Sequence, residues 1–66
     1  MKWEYRTIKL AAEGWFLGGK LDVTKLNGMM NELGRDGWEL VAAFDTNQVN
    51  GTTRDAVLIF KRPSNR

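Results

Sequence analysis

The chain has no cysteine, no histidine and a single proline. Without cysteine no disulfide framework can form, which sets the chain apart from the small oxidised domains of secreted proteins. Without histidine or cysteine, zinc and haem lose their preferred ligands, so neither metal nor cofactor is expected. No apolar run is long enough to span a bilayer, and Lys2, Glu4 and Arg6 stand where a signal peptide needs an apolar stretch. A cytoplasmic protein without membrane association is the expectation. A strong charge of either sign is missing too: ten Lys and Arg face eight Asp and Glu, for a formal +2. The basic residues are interleaved with acids except near the C-terminus, so nucleic acid is not the expected partner.

At 66 residues the chain is one domain, 1–66, near the lower limit at which an apolar core alone sustains folding. Small scaffolds without disulfides or metals need dense packing or a partner subunit. Seven aromatics, three of them Trp, suit either solution because large rings bury much area per residue.

Trp3 to Leu10 alternates polar and apolar residues and is rich in aromatic and β-branched types, which predicts a strand. Its phase slips, because Trp3 and Tyr5 point one way while Ile8 and Leu10 point the other. Either both faces are partly buried or a bulge lies between Arg6 and Ile8. Ala11 to Lys20 is irregular, punctuated by Gly14, Gly18 and Gly19. Trp15, Phe16 and Leu17 between them are too apolar for a free loop and are expected to fold onto the domain or a neighbour.

A helix begins at Asp22, a good N-cap, with Leu21 and Leu26 at the spacing of a hydrophobic staple. Val23, Leu26, Met29, Met30 and Leu33 form an apolar stripe about 140° wide, which should lie on a sheet. Gly34 and Gly37 both qualify as the C′ residue. Gly37 fits better, because it makes Trp38 and Leu33 the apolar pair of a Schellman motif. Gly34 then falls inside the last turn, where close approach of a strand would offset its cost.

Trp38 to Phe44 is the second strand, Asp45 to Thr52 is turn material with a hairpin signal at Asn50-Gly51, and Ala56 to Phe60 is the third strand, ended by Pro63. Residues 62–66 are expected to be a flexible tail. The fold class is therefore α+β, in the order β-α-β-β. A continuous apolar run belongs in mid-sheet, so the expected strand order is 1-3-2, antiparallel throughout, with the helix on one face.

The helix face is assigned Trp38, Leu40, Ala42 and Phe44, with Ala56, Leu58, Phe60, Trp3 and Tyr5. The opposite face receives Ile8, Leu10, Val41, Ala43, Val57 and Ile59, rimmed by Glu4, Arg6, Glu39, Asp55 and Lys61. One helix cannot cover two faces. An apolar centre with a charged rim predicts self-association as a homodimer or larger closed oligomer. In the competing arrangement Trp15, Phe16 and Leu17 cover that face within one chain.

Trp3-Glu4-Tyr5, the passage Leu33-Gly34 to Gly37-Trp38-Glu39-Leu40-Val41, and Ile59-Phe60-Lys61-Arg62-Pro63 resemble domain of unknown function family 4177, a group of small bacterial and phage proteins. The resemblance covers nearly the whole chain. It implies a compact α+β domain and carries no activity, catalytic residue or cofactor with it.

Chemistry is sparse. Gly14 to Lys20 matches the letters of a phosphate-binding loop, but Leu21 stands where a Mg²⁺-binding hydroxyl belongs, and three bulky side chains fill the loop. The carboxylates read as caps, turn residues and strand charges, and no Ser or Thr has a histidine to activate it, so no enzyme is expected. Two readings follow. The first is a non-catalytic interaction module acting through self-association or a protein partner. The second is a binder of a small anionic ligand, such as a nucleotide, at a subunit seam, with Trp15 or Phe16 stacking and Arg6 or Arg54 meeting the charge.

Overall fold

The computed structural model describes residues 1–18, 20–47 and 54–64. The elements are β1 (Lys2–Leu10), a bend α1 (Ala12–Trp15) whose Glu13 and Gly14 lie outside helical φ/ψ, the short strands β2 (Phe16–Leu17) and β3 (Lys20–Leu21), α2 (Val23–Arg35), β4 (Glu39–Asn47) and β5 (Arg54–Ser64). β5 lies in the centre of a three-stranded sheet of order β1-β5-β4, antiparallel to both neighbours. The sequence expectation counted three strands in order 1-3-2. Two further strands, β2 and β3, change the count and form a separate two-stranded sheet. The Asn50-Gly51 hairpin signal lies outside the described residues.

Helix α2 is framed as its ends require. The Asp22 carboxylate accepts from the Lys25 amide at 3.1 Å, satisfying one orphan donor of the first turn. At the other end the Trp38 amide donates to the Leu33 carbonyl and the Gly37 amide to the Gly34 carbonyl, both at 3.0 Å. These are the two bonds of a Schellman motif, and Gly37 supplies its positive φ of 90°. Gly34 is open: a Cβ built there meets nothing within 4 Å. The expected close approach of a strand is therefore absent.

Residues 11–18 and Lys20 have defined structure. A tight bend through Gly14, at φ 93°, leads into the antiparallel β2–β3 pair, with Phe16 opposite Leu21 and Leu17 opposite Lys20. The Asp22 amide donates to the Trp15 carbonyl at 2.8 Å, and Lys25 reaches back to the Gly14 carbonyl at 2.5 Å while lying over the Trp15 ring. The segment is thus tied to the start of α2, and Trp15 packs on the core from the helix side.

The core consists of Leu10, Leu33, Leu58 and Phe60, with Ile8, Trp15, Leu21, Leu26, Met29, Met30, Trp38 and Ala56 packed around it. Register shows which expectations about faces need correcting. β1 pairs with β5 without interruption from Lys2↔Ser64 to Leu10↔Ala56, so β1 has no bulge. Directly paired residues share a face. Ile8 opposite Leu58 and Leu10 opposite Ala56 therefore lie under the helix, while Trp3 and Tyr5 lie on the other face. The irregularity is in β4, between Leu40 and Ala42. Beyond it Ala43 pairs with Leu58 on the helix side, and Ala42 and Phe44 pair with Ile59 and Val57 on the other. One extra residue reverses the alternation, as a bulge must.

Pro63 does not end β5 and Arg62 is not in a flexible tail. Pro63 pairs opposite Trp3, and β5 continues to Ser64. β4 begins only at Glu39, opposite Lys61, so from Arg62 onward β5 has a neighbour on one side alone. Proline is tolerated there because its missing N–H is not needed by a second ladder. Arg62 is held by the Glu4 carboxylate, by the Asp36 carbonyl at 3.0 Å, and by the Trp38 ring, whose centroid lies 4.3 Å from its guanidinium. No helix among the described residues is long and apolar enough to cross a membrane.

Candidate functional site

The chain offers two apolar surfaces rather than a polar site. The first is a cleft of about 310 Å³ between α2 and β4. Leu26 and Met30 of α2 form one wall, and Leu40 and Ala43 of β4 form the other, with Phe44 at its margin. Leu10, Ala56 and Leu58 make the floor, with Leu21 at one end. Helix α2 packs towards β4 across this cleft, with side chains of β1 and β5 beneath them. Leu40, Val41 and Phe44 of β4 are 41%, 49% and 53% exposed. No charged or hydroxyl side chain among the described residues lines the cleft. Specific small-molecule sites normally combine apolar walls with a few convergent polar groups, and this cleft has the walls alone.

The second surface is the open face of the sheet. Val57 and Ile59 of β5 run along its middle, with Tyr5 and Thr7 on the β1 side and Ala42 and Phe44 on the β4 side. None of these six belongs to the packed cluster around the core. Charges of both signs border them. Lys9 meets Asp55 at 3.4 Å, and the Lys61 ammonium lies 4.2 Å from the Trp3 ring centroid. Asp55 also accepts from the Ala12 amide at 3.2 Å and shares two backbone–side-chain bonds with Thr46, anchoring that end of the sheet.

The six residues assigned to one interface divide. Val57 and Ile59 lie on the open face, and Val41 is exposed at the β4 irregularity. Ile8, Leu10 and Ala43 lie on the helix side, with Leu10 wholly buried. Sequence reasoning placed Leu40 and Phe44 in the core, where they are instead the exposed apolar positions of an edge strand. The signal was present, because any order that centres the last strand leaves the second at the edge.

The four residues assigned to an anionic ligand are not gathered. Trp15 adjoins the start of α2, whereas Arg6 lies 5.9 Å from the Trp38 ring centroid beyond its end. A helix of 13 residues separates these positions by about 20 Å. Phe16 is half-buried in the β2–β3 pair. Arg54 begins β5, and its side chain lies outside the described residues.

The architecture and its surfaces define a class: a small α+β domain with one helix on a three-stranded antiparallel sheet and no buried polar side chain among its described residues. Within that class the chain belongs to the family described as Domain of unknown function (DUF4177), which it matches over residues 3–63. No curated protein and no solved structure matches it.

Proposed function

We propose that this domain is a non-catalytic interaction module that works by self-association, with the open face of the sheet packing against the same face of a second copy. The observation that carries this reading is the one-sided layering. Helix α2 covers one face, Trp15 packs on that same side, and Val57 and Ile59 keep an apolar centre on the other. A sheet with two apolar faces needs a layer on each. Two sheets packed face to face, each backed by its own helix, supply that layer with one self-complementary surface. The mixed-sign border suits a two-fold arrangement, which can set an acid of one copy near a base of the other. A ligand-binding role draws less support, because Arg6 and Trp15 stand at opposite ends of α2.

The test is molar mass by light scattering at micromolar concentration. The expected result is a multiple of the 7.5 kDa chain mass, reduced by half in Ile59→Lys, which sets a charge in the middle of the open face. A wild-type chain that runs as a monomer overturns the proposal.

A further inference from the structure

The open face does not account for the cleft or for the character of β4. We infer that the β4 edge and its cleft form a second, separate self-association surface, in which β4 of two copies pair antiparallel across a two-fold axis near Ala43 and Phe44. This inference rests on the chain self-associating but not on the open face being used.

The sheet has two edges, and they differ. β1 carries Lys2, Glu4, Arg6 and Lys9 along its nine residues, the kind of charge that discourages edge pairing. β4 carries Leu40-Val41-Ala42-Ala43-Phe44 without a charge or a proline, and its side chains are exposed. Its irregularity is confined to the first residues, and Ala42 to Asn47 keep regular register with β5. That stretch presents an intact ladder edge to an incoming strand.

The occupant follows from charge and shape. In an antiparallel two-fold pair, a residue on the axis faces its own copy and its neighbours face one another. Centring on Ala42 sets Glu39 opposite Asp45 of the second copy, a like-charge pair that costs stability. Centring on Ala43 or Phe44 sets Asp45 opposite Val41 or Ala43 and removes the clash. In the first of these registers the bulky Phe44 faces the small Ala42. The axis stands perpendicular to the sheet, so both α2 helices lie on one side and the two clefts meet across it. Each cleft then closes against the other copy instead of against water. One surface satisfies both copies, as an isologous dimer requires, and the product is a six-stranded sheet.

The chain has no cysteine of its own, which makes single-cysteine cross-linking clean. Ala43→Cys and Phe44→Cys are oxidised mildly at micromolar concentration and run on a non-reducing gel, with Arg6→Cys, exposed on the β1 edge and outside the open face, as the control. Neither β4 position contributes to the buried core, and the fold of each variant is checked by circular dichroism. The expected result is a disulfide-linked dimer from one or both β4 variants and none from Arg6→Cys. Ile59→Lys added to the reactive variant should leave the cross-link intact. Three outcomes overturn the inference. A self-associating wild type whose β4 cysteines do not cross-link overturns the edge alone and leaves the open-face proposal standing. Equal cross-linking at Arg6 shows random collision. A monomeric wild type overturns both proposals.

Discussion

Gly34 and Gly37 are three residues apart and do different things. Gly37 holds φ at 90°, where a β-carbon is strained whatever space surrounds it. Gly34 is helical and open, so its missing side chain serves no packing purpose. Gly37→Val should therefore lose about 1–2 kcal/mol through backbone strain, more than the ~1 kcal/mol that Gly34→Ala should gain through helix propensity. In a domain of this size each kcal/mol moves the melting temperature by about 4–8 °C, so thermal denaturation resolves both signs. Trp38 shows the same economy. Its amide closes the helix, its ring packs on the core, and its face carries Arg62.

At the scale of elements, α2 is secured at both ends, and its N-terminal frame also organises the preceding segment. Asp22 caps the helix with its carboxylate while its own amide bonds Trp15, and Lys25 in the first turn reaches Gly14. Asp22→Ala should cost about 1 kcal/mol in urea denaturation, the usual loss of an N-cap. Asp22→Asn should recover most of it, because an amide oxygen caps nearly as well as a carboxylate. The strands show how one residue matters more than composition. β1 keeps strict alternation over its whole length, and β4 loses it after Leu40. That single insertion turns Ala43 to the helix side, where it stays exposed, and Phe44 to the open side.

At the scale of the molecule, α2 covers one side of the sheet incompletely and leaves the other bare. The α-carbons span 42 × 25 × 13 Å, so the domain is a thin slab with two broad faces. If association completes the core, folding and association are linked, and stability rises with protein concentration by mass action. The melting temperature should therefore climb across two decades of concentration in the wild type. In the double variant Ile59→Lys/Phe44→Lys, with both proposed surfaces charged, it should be flat. A wild-type melting temperature independent of concentration would contradict both proposed interfaces together.

Local features were legible in the residues themselves. The Asp22 cap, the Gly37 Schellman turn, the α2 stripe from Leu26 to Leu33 and the central place of the last strand all follow from short-range chemistry or from one continuous apolar run, whereas Val23, counted in that stripe, is 59% exposed. The resemblance to a family of unknown function was legible too, and the family match bears it out. What only the tertiary structure decided was which way side chains point. Alternation within a strand says that neighbours face opposite sides, but not which side meets the helix. Ile8 and Leu10 went under the helix because β1 pairs with β5 in unbroken register, and Ala43 followed because β4 gains one residue against β5. Register and bulges are set by long-range pairing between residues far apart in sequence. The same pairing carried Arg6 to one end of α2, far from the Trp15 it was grouped with when only the sequence was in view.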